Sequence, residues 1–221
     1  MLPFARIVEY GNVAPSANIL LDIDFDRQDI GSTSMIDSTG VQFPLSSGSA
    51  GIVQYDSEVD RNVMVFNNGY YLSPAITDGS QLDLRNIDFE IDYMFKCNTG
   101  TLQVLWQTGN YGTRRVAGIS CSANQYPSTY FQIFCDTGSS FNRVLMNGAN
   151  TLGWETLKIT FIRGIGWSIY NARTGVTQNY PAYAFGRGDY FSIGGGYVDA
   201  ASGQYYYSSG SLAYIKITKL S

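Results

Sequence analysis

The stretch DFEIDYMFK, residues 88–96, decides the fold class because its apolar and polar side chains alternate. The apolar face consists of Phe89, Ile91, Tyr93 and Phe95. The opposite face is polar, with Met94 as its one apolar member. Successive residues of a strand point to opposite faces, so this period of two predicts a β-strand with one buried and one solvated face.

The same period recurs on both sides of this stretch, in TLQVLWQ (101–107), TYFQIFC (129–135), WETLKITFI (154–162) and AYIKITKL (213–220). Between such runs lie Gly and Asn clusters typical of hairpin loops, namely NNG (67–69), TGN (108–110) and NGAN (147–150). Nothing longer than a turn has a helical period. The sequence therefore predicts an all-β protein, a two-sheet antiparallel β-sandwich or jelly roll.

The first 18 residues differ from the rest of the chain. The stretch GNVAPSAN (11–18) has no apolar period and is predicted to link a short N-terminal arm to the domain that starts at Ile19. We expect residues 1–18 to form the arm and linker, and residues 19–221 the sandwich domain. The arm would pack as an edge strand or reach a neighbouring molecule through Phe4, Ile7, Val8 and Tyr10.

Composition excludes several function classes. The 221 residues include no histidine, which removes Ser-His-Asp and Cys-His catalysis and histidine metal sites. The formal net charge of −4 and the pI of about 4.7 argue against nucleic-acid binding. No apolar run approaches the roughly 20 residues that span a bilayer, and no signal peptide is recognisable, so we expect folding in the cytoplasm without membrane insertion.

Cysteine usage and charge distribution add two expectations. Cys97, Cys121 and Cys135 lie in apolar runs and are predicted to be buried, reduced thiols, with a Cys121–Cys135 disulfide as the alternative. Residues 1–96 hold 14 acidic and 5 basic residues, whereas residues 97–221 hold 4 acidic and 9 basic ones. The two halves would either interleave in one fold or present complementary faces that stack copies head to tail.

The order of these segments resembles the concanavalin A-like jelly roll, most closely its laminin G-like lectin/glucanase branch. The matching segments are ILLDIDFD (19–26), VMVFNNGYYLSP (63–74), LRNIDFEIDYMFK (84–96), WETLKITFIRGIGWSIYN (154–171) and YFSIGGGYVDAASGQYYYSSGSLAYIKI (190–217). The resemblance covers about residues 19–218. It implies the fold, which serves lectins, glycosidases, adhesion modules and passive virion parts alike.

The opening MLPFARIVEYGN is similar to that of small virion proteins of tailed bacteriophages. This resemblance implies a structural component of the phage particle, in a head decoration, a collar or a tail surface. Its partners would be other virion proteins and further copies of itself in a homo-oligomer. The alternative is a carbohydrate-binding lectin module that attaches to a host-surface polysaccharide.

The catalytic pattern of the glucanase relatives is incomplete here. Glucanases of this fold carry E-x-D-x-x-E on a strand, and Glu90 and Asp92 match its first two acids. Phe95 stands where the third acid belongs, so an acid/base partner for the nucleophile is missing. We therefore expect no enzyme activity, and we interpret the two acids as the solvated face of a strand.

Metal binding is expected to be absent, with calcium as the alternative. Asp22, Asp24, Asp26 and Asp29 are closely spaced, but a straight strand separates alternate carboxylates by ~6.6 Å, whereas calcium needs converging oxygens. The laminin G-like relatives suggest a second arrangement that would use Asp199 and Asn171.

Aromatic clusters are the remaining candidates for binding. Tyr183, Tyr205, Tyr206 and Tyr207 are predicted contacts for a glycan or a protein partner, and Tyr70–Tyr71, Tyr180 and Phe185 form similar clusters. Consecutive strand residues alternate in direction, so at least one of Tyr205–Tyr207 must be exposed or at an interface. The alternative is a set of core-edge tyrosines. A protein partner is favoured over a sugar because no amide or acidic cluster adjoins the triplet in the sequence.

Overall fold

Strands make up nearly all of the regular structure. The computed structural model describes residues 18–98, 103–109, 118–124, 130–137, 141–147, 153–199 and 204–220. In chain order the strands are β1 Ile19–Asp24, β2 Met35–Ile36, β3 Gln42–Phe43, β4 Leu45–Asp56, β5 Arg61–Leu72, β6 Phe89–Lys96, β7 Gln103–Gly109, β8 Gly118–Asn124, β9 Tyr130–Asp136, β10 Phe141–Asn147, β11 Trp154–Ile162, β12 Gly166–Asn171, β13 Val176–Pro181, β14 Tyr190–Ile193, β15 Gly195–Asp199, β16 Gln204–Tyr207 and β17 Ser211–Lys219. In this described part, helix is limited to two short 3-10 segments, Phe25–Arg27 and Leu84–Asn86. The all-β prediction is confirmed.

The strands form two antiparallel layers. The front sheet has the order β1–β17–β6–β11–β12–β13, and the back sheet has the order β10–β9–β8–β7–β14. Aromatic rings join the layers: Tyr93 of β6 lies edge-on to Trp106 of β7 at 6.4 Å between centroids, and Phe95 meets Phe131 of β9 at 5.1 Å. This is the predicted two-sheet β-sandwich.

The alternation in residues 88–96 determines which side chains of β6 lie on the inner face of the front sheet. Phe89, Ile91, Tyr93 and Phe95 are all buried, whereas the residues between them are half-buried on the outer face. Tyr93 also reaches Cys121 of the back sheet, with 2.9 Å between its hydroxyl oxygen and Sγ. The period of two therefore sets both the position of β6 and the direction of each of its side chains.

The ribbon of β4 and β5 connects the two layers. β5 pairs with β17 of the front sheet at Met64 and Val65, and with β14 of the back sheet at Tyr71 and Leu72. The NNG cluster at 67–69, predicted as a loop, lies inside β5 between these two pairings, which corrects the prediction. Asn68 adopts φ 55°, and asparagine tolerates this left-handed conformation, so the cluster accommodates an irregularity within a strand.

The cysteines are buried free thiols, as predicted, and the alternative disulfide between Cys121 and Cys135 is not formed. Cys135 pairs across the ladder with Ile119, so Cys121 is its diagonal neighbour. Diagonal residues of a sheet are about 7–8 Å apart, beyond the usual Cα separation of a disulfide.

The acidic first half and the basic second half interleave in one fold. Ion pairs join Glu90 to Lys158, Asp88 to Arg163 and Asp78 to Arg187. In the described part of the chain, no helix is long and apolar enough to cross a membrane.

Candidate binding surface

The outer face of the front sheet is a continuous, mainly polar surface. Its middle row crosses six strands in register, through Asp22, Lys216, Asp92, Lys158, Tyr170 and Thr177. A second row comprises Thr218, Glu90, Thr160, Ser168 and Asn179. We call these two rows, together with Asp24, Tyr214, Met94 and Thr156, the front face.

Two charged groups of the front face are engaged by other residues of the face. Lys158 Nζ lies 3.1 Å from Glu90 Oε1, and this hydrogen bond raises the pKa of Lys158. The Tyr214 hydroxyl donates to Asp92 Oδ1 at 3.1 Å, and burial together with the Asp92 charge raises the pKa of Tyr214 to about 12. Ammonium and carboxylate groups therefore alternate along the middle row without a large net charge.

The turn between β4 and β5 borders one end of the front face. Trp154 Nε1 donates to Asp56 Oδ2 at 3.2 Å. The guanidinium carbon of Arg61 lies 5.1 Å from the centre of the Tyr214 ring, a cation–π contact. Lys96 pairs with Glu58 of the same turn. These contacts fix the turn as a wall at the end of the face.

Glu90 and Asp92, the two acids that match the glucanase pattern, lie on the front face. Glu90 is engaged by Lys158, and Asp92 accepts the Tyr214 hydrogen bond. The next outward position is Met94, which cannot transfer a proton. The third acid of the glucanase pattern, which would act as the acid/base partner, is absent, because β6 carries no carboxyl group besides Glu90 and Asp92.

The aspartates at the start of the domain are bound by arginines. Arg27 pairs with Asp22 at 2.6 Å, while Arg61 pairs with Asp24 at 2.7 Å and with Asp26 at 3.2 Å. In the described ranges, no group of three or more Cys, Asp or Glu side chains could hold a metal ion. These aspartates therefore do not provide a calcium site.

In the second proposed metal arrangement, Asn171 is also engaged by another side chain of the protein. Asn171 is buried and donates from Nδ2 to Glu155 Oε2 at 3.0 Å, and Arg173 Nε donates to both oxygens of Glu155, at 2.8 and 2.9 Å. Asp199 ends β15, and its side chain lies outside the described residues. The buried Glu155 was overlooked at the sequence level, although the alternation in WETLKITFI points it inward together with Leu157.

Tyr183 and the hairpin tyrosines lie at opposite ends of the sandwich. Tyr183 is half-buried against the core, and its neighbour Phe185 contacts Phe89 at the start of β6, with 6.4 Å between ring centroids. The segment after β16 reaches the other end of β6, where Gly210 packs on the Lys96 carbonyl. The eight residues of β6 separate these two regions by about 23 Å, so the four tyrosines do not form one site.

Tyr205, Tyr206 and Tyr207 belong to β16, which pairs only with β15 among the described strands. Their side chains lie outside the described residues. The hairpin packs beside β7: Gly194 N donates to the Leu105 carbonyl, and Gln103 bonds to Ser208 and Ser209, which follow β16. β7 thus brings one amide, that of Gln103, to the segment that follows the triplet, from a hundred residues upstream, and this amide is buried.

The other aromatic candidates are structural. Tyr70 and Tyr71 are buried, and the Tyr71 hydroxyl donates to the Thr33 carbonyl at 2.9 Å. Phe185 packs against the ring of Trp167. The arm residues Phe4, Ile7, Val8 and Tyr10 lie outside the described residues.

Tyr170 is the front-face residue that the sequence interpretation overlooked. Its side chain is 39% exposed, although both of its neighbours, Ile169 and Asn171, are buried. The alternation in GWSIYN, residues 166–171, was the available signal: it sends Trp167 and Ile169 inward and Tyr170 outward.

Comparisons with known proteins extend the fold assignment. No family model and no curated protein matches this sequence. Similar solved structures include the botulinum neurotoxin serotype D binding domain, with a TM-score of 0.59 at 10% identity over 92% of this chain and 49% of that one. The botulinum neurotoxin type G receptor binding domain gives 0.58 at 10% identity, over 93% and 49%. The binding domain of botulinum neurotoxin DC in complex with SialylT gives 0.58 at 10% identity, over 92% and 48%.

This chain spans about half the length of those structures. At this level of identity, the likeness establishes that the chain shares the lectin-like β-sandwich fold of receptor-binding domains. It does not by itself carry over a ligand.

Proposed function

We propose that this chain is a non-enzymatic glycan-binding module that attaches to a polysaccharide on a cell surface. The observation that carries the proposal is the match over 92% of the chain to a sandwich whose solved neighbours are binding domains. One of those neighbours was solved in complex with SialylT. The same fold serves enzymes as well, so the absence of catalysis needs its own argument.

The non-enzymatic part of the proposal rests on the front-face carboxylates. Glu90 is held by Lys158 and Asp92 by Tyr214, and Met94 occupies the following outward position. Both carboxylates already accept hydrogen bonds from these neighbours, and β6 carries no third acid to complete the glucanase pattern.

A polysaccharide array with the full chain tests this function. We expect saturable binding to at least one polysaccharide and no release of reducing sugar on prolonged incubation. Glu90→Gln is the control, because a catalytic Glu90 would make any hydrolysis disappear in that variant. Failure to bind any polysaccharide would overturn the proposal, and so would hydrolysis that depends on Glu90.

We also propose that the chain is a structural component of a phage particle and that the glycan-binding module acts on the surface of that particle. It is supported by the opening MLPFARIVEYGN and by the arm residues that it contains. The light-scattering mass of the full chain, compared with that of a chain starting at Asn18, tests it. A defined oligomer formed by the full chain alone supports assembly through the arm, and two monomers exclude it.

A further inference from the structure

We propose that the front face is the glycan-binding surface and that its ligand is an uncharged polysaccharide lying across the strands. This inference rests on the proposed glycan-binding function and names the site and the ligand class. It moves the site away from the hairpin tyrosines, and it centres the site on Tyr170.

Accessibility favours the front face over the back sheet. Tyr170 and Lys158 are exposed, and Thr177 and Asn179 of β13 beside them are also exposed. On β7 of the back sheet, by contrast, Gln103 and Gln107 are each only 1% exposed, so a ligand cannot reach those amides without displacing the segments around them. In the described part of the chain, the β4–β5 turn contacts the outer side of the front face at one end, and Arg27 and Ser38 contact Asp22 at its β1 edge. Lys158 and Tyr170, towards β13, remain exposed.

The chemistry of the middle row suits sugar hydroxyl groups. A hydroxyl donates one hydrogen bond and accepts others, and the row offers carboxylate acceptors and ammonium donors in alternation on neighbouring strands about 4.8 Å apart. Hydroxyl and amide side chains of the second row, on Thr160, Ser168 and Asn179, extend this pattern.

The charge arrangement selects an uncharged ligand. Lys158 lies beside Glu90 and opposite Asp92, and Lys216 lies opposite both Asp92 and Asp22. Lys158 is paired with Glu90, and Lys216 lies between Asp22 and Asp92 in the register, so carboxylates flank both ammonium groups and the two rows hold no cationic patch that would attract a polyanion. An acidic polysaccharide would be repelled by these carboxylates, whereas a neutral one can form hydrogen bonds with both the carboxylates and the ammonium groups.

Tyr170 supplies the apolar contact that such a polar surface otherwise lacks. Its ring stands next to Lys158 in the register, on the side of the sheet towards β13. An exposed tyrosine offers a rigid ring and a hydroxyl group at low conformational cost, which is why tyrosines are frequent at binding sites. The wall at the other end of the face, formed by the β4–β5 turn, limits the ligand in that direction.

Titration calorimetry with the polysaccharide that binds best on the array tests the proposal. We expect Tyr170→Ala to weaken binding about tenfold or more, and Tyr170→Phe to retain most of the affinity because the ring remains. The matched control is Tyr55→Ala. Tyr55 is 54% exposed, and it points away from the front face because its neighbour Asp56 reaches Trp154 on that face. This control should bind like the unmodified chain.

The outcomes separate this proposal from the function on which it rests. If the unmodified chain binds and Tyr170→Ala binds equally well, the front face is not the site, although the module remains a glycan binder. Loss of binding in Tyr206→Ala alone would place the site on the hairpin. A steep fall in affinity between low and high salt would contradict the uncharged ligand. If no polysaccharide binds the unmodified chain, the glycan-binding function itself fails.

Discussion

Replacing Phe89 with alanine should destabilise the protein far more than replacing its neighbour Glu90. The two residues are adjacent on β6 but face opposite sides of the front sheet. Phe89 is fully buried, and its ring lies 5.4 Å from that of Phe161 and 5.9 Å from that of Trp167. Truncation of a buried phenylalanine costs about 3–5 kcal/mol in free energy of unfolding. The loss of several ring contacts favours the upper half of that range.

Glu90→Ala removes only a partly exposed ion pair with Lys158, whose side chain is 46% exposed. Such pairs contribute about 1 kcal/mol or less. In a chain of this size, a loss of roughly 4 kcal/mol lowers the melting temperature by about 8–16 °C. The Glu90 variant should therefore melt within a few degrees of the unmodified chain.

Urea unfolding, followed by tryptophan fluorescence and circular dichroism, measures both free energies. Glu90→Ala is the matched control because it changes the same strand one residue further along. The assignment of inner and outer faces would be refuted if Phe89→Ala cost less than about 1 kcal/mol. It would be refuted equally if the two variants were destabilised to the same extent.

Three further predictions concern the thiols, the acid limb of stability and one glycine. Burial raises the pKa of the thiols of Cys97, Cys121 and Cys135 to about 12. All three should therefore resist Ellman's reagent near pH 8 until urea unfolds the chain. Rapid labelling of the native protein would contradict their burial. The hydrogen bonds from Arg85 lower the pKa of Asp83, so this carboxylate stabilises the fold above its unfolded pKa of about 3.9 and loses that contribution as the pH falls through the lowered value. Asp83→Asn should therefore lose less stability than the unmodified chain between about pH 6 and pH 3, and equal losses would rule out this role. Gly48→Ala should destabilise the protein by at least about 2 kcal/mol more than Gly79→Ala. Both glycines have positive φ, but a Cβ at Gly48 would clash with the Asn68 carbonyl oxygen, whereas a Cβ at Gly79 would meet open space. Similar melting temperatures for the two variants would show that the β4–β5 ribbon adapts.

Much of the fold follows from local alternation. The period of two in residues 88–96 and 154–162 assigns Phe89, Ile91, Leu157 and Ile159 to the core, and the structure buries all four. The NNG cluster misled the prediction because Asn-Gly sequences are frequent in hairpin turns. Here the cluster serves a strand that passes from one layer to the other, and this long-range arrangement leaves no local signal.

The candidate surface was harder to predict because it depends on which strands become neighbours. The Asp92–Lys158–Tyr170 row joins residues from three separate strands. Alternation alone predicts that each of these three side chains points outward, but it does not predict that they lie in one row. For the same reason, the arginine partners of Asp22 and Asp24 and the Gln103 amide of β7 beside the hairpin could not be derived from the sequence near them.

The most direct test of a glycan site on the front face is covalent footprinting of tyrosine side chains with and without the polysaccharide selected on the array. Hydroxyl-radical labelling followed by mass spectrometry reports the accessibility of Tyr170, Tyr55 and Tyr206 in one experiment. Binding at the front face predicts that saturating polysaccharide slows the labelling of Tyr170 and leaves the labelling of Tyr55 and Tyr206 unchanged. Unchanged labelling of Tyr170 with protection of Tyr206 would contradict it.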